Sequence, residues 1–388
     1  MITVSEALDR LFALVTPLPA EDVPLTQAAG RVLARPVHAR RNQPPFAASA
    51  MDGYAIRADF TPGETLQIIG EAAAGRGFSG TVRPGQTVRI FTGAPLPDGA
   101  DIVAIQEDVI RSSGEIVLGP DVGPANVRRL GADFRIGDTL AAPRRLSPSD
   151  IALLAAMNIA KVPVTRRPVV AIIATGDELV QPGETPGPDQ IIASNSYGLQ
   201  ALLQALGAEA RLLPIARDTL DSLAFCLKLA EGADLILTIG GASVGDHDLV
   251  GQAAGLAGIE QAFYKVAMRP GKPLMAGRLG NAMMIGLPGN PVSAMVCGHV
   301  FVAPVIRAMQ GLPAQATPRQ PAVLAADLPA NGPREHYIRA HHTPDGVAAF
   351  DKQDSSLLTV LSAADCLIIQ PAGDAARRPG DMVQIIPI

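Results

Sequence analysis

Residues 234–248 read Asp-Leu-Ile-Leu-Thr-Ile-Gly-Gly-Ala-Ser-Val-Gly-Asp-His-Asp. Leu235 to Ile239 form an apolar run of strand length that ends in Gly240-Gly241. The loop then carries Ser243, Gly245, Asp246 and Asp248 before apolar character returns at Leu249. Glycine lets the backbone bend tightly and approach a ligand closely. Successive free N–H groups in such a loop make a concavity for phosphate or another oxyanion. Asp246 and Asp248 oppose an anion unless a divalent cation lies between them and it. Strand, glycine turn, hydroxyl and acids in this order imply a phosphate-and-metal site at the C-terminal edge of an α/β sheet.

Working outward, residues 166–316 alternate between strand and helix patterns. Strands are expected at 169–174, 211–216, 234–239 and 282–286, and helices at 196–206, 220–231 and from 292. Asn290 is expected to cap the last helix, with Pro291 in its first turn. Such alternation predicts a mostly parallel three-layer sheet. Beyond Pro313, short β runs at 321–326, 336–341, 347–350, 366–370 and 382–387 predict a small C-terminal β-domain over 317–388. On the N-terminal side, Thr3 and Glu6 form a capping box ahead of Val4, Leu8, Leu11, Phe12 and Val15 on one helical face. A second short helix is expected near Thr26, and a third after the Ser147-Pro148-Ser149-Asp150 cap. Residues 41–132 read instead as a β-module. The expected layout is a helical domain, 1–40 plus 133–165, interrupted by that module.

The chain of 388 residues is long enough for about two to four domains. Its net charge of −5 argues against a nucleic-acid surface, which needs clustered Lys and Arg. Three distant cysteines, Cys226, Cys297 and Cys366, make neither a disulfide framework nor a zinc pattern; Cys297 and Cys366 lie in apolar runs and read as buried thiols. The start carries no signal-peptide pattern, and there is no uninterrupted apolar stretch of about 20 residues, so a cytoplasmic location without membrane association is expected.

Three polar loops leave strand ends of the α/β unit: Thr175–Glu178, Gly240–Asp248 and Gly286–Ser293, the last containing Pro288, Gly289 and Asn290. Their convergence at one sheet edge carries more weight than any one of them, since a lone Thr-Gly-Asp-Glu is commonly a turn. Arg269-Pro270-Gly271-Lys272 adds two cations able to hold a tetrahedral oxyanion from two sides, with Lys265 four residues earlier. The stretches Pro44–Ala55 and Thr92–Pro95 are ambiguous by themselves.

Taken together, these segments resemble the MoeA-type molybdopterin molybdenumtransferases, the family that includes the C-terminal part of gephyrin. The carriers are Pro-Pro-Phe-Ala-Ala-Ser-Ala-Met-Asp-Gly-Tyr-Ala at 44–55, Thr-Gly-Ala-Pro-Leu-Pro at 92–97, Gly-Ala-Asp-Phe at 131–134 and Ala-Thr-Gly-Asp-Glu-Leu at 174–179. Ser-Asn-Ser-Tyr at 194–197, Gly-Gly-Ala-Ser-Val-Gly-Asp at 240–246, Pro-Gly-Lys-Pro at 270–273 and Gly-Leu-Pro-Gly-Asn-Pro-Val-Ser at 286–293 continue the match. The resemblance implies a multidomain α/β and β architecture: a helical domain, an inserted β-domain, a molybdopterin-binding three-layer α/β domain and a C-terminal β-barrel. It implies a homodimer in which each active site joins the α/β and C-terminal domains of one subunit to the inserted domain of the other.

The implied reaction is insertion of molybdate into adenylylated molybdopterin, releasing AMP, with Mg²⁺ as cofactor. The resemblance assigns Arg269, Lys272, Ser293, Arg339 and Ser355 to molybdate, with Arg334 and Ser356 as neighbours that could substitute for the last two. Many members have Lys where this chain has Arg269. Ser243 and the 240–245 backbone, Gly241 and Gly245 included, are assigned to the substrate phosphate, alongside Thr175, Lys265, Pro288, Gly289 and Asn290. Asp248, Asp218 and Glu178 are assigned to Mg²⁺. Asp52, Thr92 and Asp133 are functional positions without individual roles. Transient contact with a molybdopterin adenylyltransferase and with cofactor-handling proteins is also implied. Two rivals remain. A stand-alone adenylyltransferase would lack residues 1–165 and the barrel, and a gephyrin-like scaffold would carry a long linker to other domains.

Overall fold

The structure, a computed structural model, describes residues 1–123, 126–240 and 259–388. It divides into two compact units, Met1–Glu21 with Val164–Ile388, and Asp22–Pro163.

The larger unit is built on a six-stranded sheet in the order Glu209–Leu212, Val169–Ala174, Leu235–Ile239, Ala282–Leu287, Met275–Leu279, Glu260–Tyr264. The first four strands are parallel, and the last two add an antiparallel edge. Side chains alternate across it. Ile172, Leu237 and Ile285 join a core with Leu199, Leu203 and Phe301, while Ala171, Ile173 and Ile236 face Leu223 and Cys226. Central strands covered on both faces are apolar at nearly every position, which is why Val169–Ala174 and Leu235–Ile239 read as near-continuous runs without alternation. Leu199 is fully buried, so Leu199→Ala removes about 2–5 kcal/mol of stability.

The expected strand at 211–216 is Glu209–Leu212, and the helix from 292 begins at Pro291 and continues through a π-helical turn, Gly298–Val302, to Met309. This helical run is long and apolar enough to cross a membrane, but 83% of it is buried, as suits the central helix of a core. Gly298 lets it lie close to the Asn195–Ala205 helix, for an added Cβ would stand 2.9 Å from Leu199.

The C-terminal strands are Gln320–Val323, Glu335–Thr343, Gly346–Ala349, Cys366–Gln370 and Met382–Pro387. A parallel bridge from Leu324 to Val347 joins the two ends of this sheet and closes it into a barrel. The short strand Met268–Arg269 pairs with Glu335–His336, tying the barrel to the α/β layer.

The N-terminal expectation needs correction. The Val4–Leu14 helix exists, with Thr3 accepting from the Glu6 N–H, but its buried face of Val4, Ala7, Leu8 and Leu11 joins the core of the larger unit. The helix expected near Thr26 is a three-residue 3₁₀ turn, Leu25–Gln27. The neighbouring pairs Val32–Leu33 and Val37–His38 are too short for helical burial and pair as strands with Arg144–Arg145 and Thr139–Leu140 respectively. Within 133–165 the one α-helix is Pro148–Ala156, held by a reciprocal Ser147–Asp150 capping box.

The smaller unit also holds a six-stranded sheet in the order Ile102–Ile105, Gly53–Ile56, Gln86–Ile90, Thr65–Ala72, Glu115–Leu118, Val109–Ser112. It buries one face around Tyr54, Ile56 and Ile116 and the other around Ala55, Val88 and Val103.

Candidate functional site

Strand register decides where the polar loops emerge. Ala174 is level with Ile239, and Ile239 with Leu287, so Thr175, Gly240 and Pro288 leave the sheet at one edge. Strand order also reverses here: the Val169–Ala174 strand has Glu209–Leu212 on one side and Leu235–Ile239 on the other. Chain connections diverge at such a switch point and leave a crevice. A cleft of about 670 Å³ occupies it, lined among others by Thr175, Glu178, Asp218, Gly240, Asn290 and Ser356.

Backbone forms its floor. Gly240 adopts φ +92°, and an added Cβ would stand 2.8 Å from the Thr175 carbonyl oxygen. A Cβ on Gly289 would meet the Gly240 Cα at 3.5 Å, so the two loops touch glycine to glycine. Thr175 locks the crevice, its N–H and hydroxyl both donating to the Ile239 carbonyl at 3.0 and 3.3 Å. Asn195 Nδ2 donates to the Gly289 carbonyl at 2.6 Å.

On one wall Glu178 folds back over Gly176, where an added Cβ would lie 2.3 Å from the carboxylate. Asp218 stands on the same wall, its N–H donating to Asp177 Oδ1 at 3.1 Å. Arg217 fixes this turn by donating from one nitrogen to the carbonyls of Gly176, Asp177 and Leu179. Two carboxylates beside open space and a backbone cradle form a hard-oxygen donor set that fits Mg²⁺, which takes one or two carboxylates together with substrate phosphates. Gly241, Ser243, Gly245, Asp246 and Asp248 lie outside the described residues.

Asn290 occupies the N-cap position of the Pro291–Cys297 helix, but its side chain makes no cap. Instead its amide donates to Ser355 Oγ at 3.0 Å, and Val292 N–H donates to the Ser355 carbonyl. The 353–357 loop is thereby fastened beside the cleft, with Ser356 in its wall. Ser293 is buried in the helix's first turn. Arg339, only 1% exposed, turns inward. Its Nε donates to Gln353 Oε1 at 3.2 Å, and one terminal nitrogen donates to the carbonyls of Asp354 and Leu357 at 3.0 and 3.4 Å. These contacts make Arg339 the clamp of the loop that carries Ser355 and Ser356.

Arg269 and Lys272 are exposed on either side of Pro270-Gly271, and Gly271 lies against Cys297. Arg269 pairs in register with His336. Burial, then the charges of Arg269, Arg339 and Arg334, push the His336 imidazole down to about 4. Burial is the first cause and the guanidinium charges add to it; a positive field of that sign favours an anion. Lys265 is directed elsewhere: its ammonium sits 5.1 Å from the centre of the Tyr264 ring, and it does not line the cleft.

In the smaller unit Asp52 and Thr92 meet because Gly53 pairs with Ile90, placing the two loops at one sheet end. Thr92 donates to Asp52 Oδ1 from its N–H and its hydroxyl, both at 2.8 Å. These bonds, with the nearby Arg89 charge, hold the Asp52 carboxyl below the usual range. Arg89 stacks 4.9 Å from the centres of Tyr54 and Phe91 and donates to the Gly53 carbonyl and Gln106 Oε1. Asp133 is held through its N–H to the Gln43 carbonyl; among the described residues its carboxylate has no hydrogen bond.

Sequence reasoning did not single out Arg217, Gln353 or Arg89. Each acts on backbone or on another polar group, which no local spacing announces.

Three family profiles match the chain: "MoeA N-terminal region (domain I and II)" over residues 2–158, "Probable molybdopterin binding domain" over 171–308, and "MoeA C-terminal region (domain IV)" over 321–388. The chain is 36% identical to the molybdopterin molybdenumtransferase of a Nostoc species over 408 aligned positions, covering 100% of this chain and 94% of that protein. It is 36% identical to molybdopterin molybdenumtransferase 2 of Mycobacterium tuberculosis, covering 94% of each. Among solved structures, the molybdopterin biosynthesis moeA protein of Pyrococcus horikoshii superposes with a TM-score of 0.87 at 28% identity, covering 100% of both chains.

Proposed function

Since the chain belongs to the MoeA family of molybdenum-cofactor biosynthesis, we propose that it inserts molybdate into adenylylated molybdopterin with release of AMP. One observation carries the finer reading: a glycine-floored cleft with two carboxylates lies at the sheet's switch point, in the same unit as Arg269 and Lys272, exposed on either side of one Pro-Gly turn. A phosphoanhydride suits the first and a tetrahedral dianion the second, because backbone N–H groups and guanidinium groups give charge-assisted hydrogen bonds to oxygen.

In this reading Arg269, Lys272 and Arg334 supply the cations for molybdate, and Ser293 and Ser355 the hydroxyls; Ser355 accepts from Asn290 and keeps its own proton to donate, whereas the Ser356 hydroxyl donates to Asp354. Arg339 acts through the loop it clamps. Glu178 and Asp218, completed by Asp248, would hold Mg²⁺, which when bound neutralises phosphate charge. The Gly289 backbone receives the phosphate beside Gly240, whose own N–H donates to the Leu287 carbonyl, and Asn195 holds Gly289 in place. We further propose a cytoplasmic homodimer in which Asp52 and Thr92 serve the partner's centre. Transient contact with a molybdopterin adenylyltransferase and with cofactor-handling proteins belongs to the same reading.

The test supplies purified adenylylated molybdopterin, Mg²⁺ and molybdate and measures AMP. Molybdate-dependent AMP release with formation of active cofactor is expected. AMP release indifferent to molybdate would sink the proposal, and ATP-dependent adenylylation of molybdopterin would assign the chain to the preceding step instead.

A further inference from the structure

At one end of the C-terminal barrel three side chains of different chemistry converge. His342 belongs to the Glu335–Thr343 strand, and Asp365 and Cys366 stand at the head of the Cys366–Gln370 strand. An imidazole nitrogen, a carboxylate oxygen and the thiol sulfur, one from each, lie within 4.8 Å of one another. No other group of three His, Cys, Asp or Glu side chains does so among the described residues, and none of these three lines the cleft.

Register explains the meeting. Ala340 is opposite Cys366, and both are buried in the barrel core. His342, two residues beyond Ala340, faces the same side one step nearer the strand end. His341 faces the other way and packs on Phe350, with ring centres 4.7 Å apart. Asp365 is held by its backbone: its N–H donates to the Ala340 carbonyl at 3.2 Å, and its carbonyl accepts from the Ile388 N–H at 3.0 Å. Its Oδ2 accepts from the His342 N–H at 3.1 Å, its Oδ1 lies 2.9 Å from His342 Nδ1, and the Cys366 thiol donates to the same carboxylate.

We propose that His342, Asp365 and Cys366 form a binding site for a thiophilic divalent cation of the zinc class, with a fourth position left to water. The donor set decides the class. Nitrogen, oxygen and sulfur together suit zinc, whereas Mg²⁺ and Ca²⁺ take oxygen. Spacing agrees. Donors about 2.0–2.3 Å from a tetrahedral ion stand roughly 3.3–3.6 Å apart, so these three need only side-chain adjustment. Access is open as well: the His342 and Asp365 side chains are 56% and 51% exposed above the buried Cys366, so a cation arrives from water and meets the sulfur last. Burial, then Asp365 beside it, push the Cys366 thiol up to about 12. The ion must therefore displace the thiol proton to solvent, which a coordinated thiophilic cation does outright. The imidazole keeps its single proton on Nε2 and offers Nδ1. A bound ion would cross-link the two strands that carry Arg339 and His336 or pair with them. The donors come from residues 23 apart in the chain, so no local spacing shows them.

Cobalt(II) occupies zinc sites and reports sulfur ligation by its absorption. The full chain, stripped of metal by a chelator and kept reduced, should develop a thiolate-to-cobalt charge-transfer band on titration with Co²⁺. An equimolar amount of Zn²⁺ should erase the band, and excess Mg²⁺ should leave it. Cys366→Ser should remove it, and His342→Ala, at an exposed position, should weaken Co²⁺ binding about tenfold or more. Cys226→Ser, which alters a thiol in the α/β layer, should keep the band. Zn²⁺ should raise the melting temperature of the unaltered chain and not that of the His342→Ala variant. Absence of the band from the folded chain would overturn the site, as would a band that survives Cys366→Ser or follows Cys226. Should Cys366→Ser fail to fold, His342→Ala decides alone, and an unchanged Co²⁺ affinity there would overturn the assignment.

Discussion

Replacing Arg339 by Met separates two roles for one residue. The family resemblance gives Arg339 direct contact with molybdate, whereas its geometry makes it the clamp of the 353–357 loop. The side chain is 1% exposed and reaches Gln353 Oε1 and the carbonyls of Asp354 and Leu357. Met keeps much of the volume and removes the donors. Hydrogen bonds from a charged donor contribute about 1.5–3 kcal/mol each when their loss strands the partners. Here the stranding is partial. Gln353 keeps its own Nε2 bonds to the Arg339 and Phe350 carbonyls, and Asp354 is exposed, so a loosened loop regains water. The net loss should be about 2–4 kcal/mol, below the sum of the three bonds. Hydrogen exchange resolved to residues 353–358 and urea unfolding read it directly. Exchange should rise in that loop and at Val292, whose N–H depends on the Ser355 carbonyl. Arg339→Lys should resemble Met, because one ammonium cannot span three acceptors in a fork. The clamp is refuted if both variants keep wild-type exchange and stability while the KM for molybdate rises and Lys rescues it.

Other expectations can be checked in parallel. Gly240→Ala places a Cβ in a left-handed conformation and 2.8 Å from the Thr175 carbonyl oxygen, so it should cost about 2–4 kcal/mol of stability and abolish phosphate binding; an unchanged urea midpoint would contradict this. His299 and His336 are both lowered by burial to about 4, against an ordinary 6.5. The unfolded chain therefore binds more protons between these values, so their contribution to stability is complete above about pH 6.5 and lost as pH falls towards 4. The double change His299→Gln, His336→Gln should flatten that acid limb in pH-dependent unfolding. If Asp52 serves the partner's centre, mixing inactive Asp52→Ala and Lys272→Ala chains should restore about a quarter of wild-type activity, since half the dimers are hybrids with one intact centre. No restoration after verified subunit exchange would place both residues in a centre made by one chain.

The α/β layer was legible because its strands are covered on both faces. Val169–Ala174 and Leu235–Ile239 could be read as buried strands from composition, and glycine marked where each turned. The N-terminal region was less legible. The Val4–Leu14 helix announces an apolar face without naming the surface it meets, and that surface proved to be the core containing Phe263 and Val266. Val32–Leu33 and Val37–His38 are two-residue strands, below the length at which periodicity exists to be read. Within the site, Glu178 and Gly289 follow from loop positions at strand ends, while Asp218 was singled out by the family resemblance alone. The inward turn of Arg339 does not, because it depends on Gln353 fourteen residues later accepting its N–H groups.

The same contrast bears on how the larger unit assembles its anion sites. Cleft-floor groups are backbone, placed by register: once Ala174, Ile239 and Leu287 are level, the floor of the proposed phosphate cradle is in position. The oxyanion side depends on the barrel at several points, through the Arg269–His336 pairing, the Asn290–Ser355 bond and the Arg339 clamp. Molybdate affinity should therefore be lost first when barrel packing is weakened, with phosphate binding surviving. Ile368→Ala, deep in the barrel core and touching neither site, makes the distinction measurable. About 2–5 kcal/mol of lost packing should raise the KM for molybdate well before ribose 5-phosphate binding weakens. Parallel loss of both would mean that the cradle, too, leans on the barrel and that register alone does not hold it.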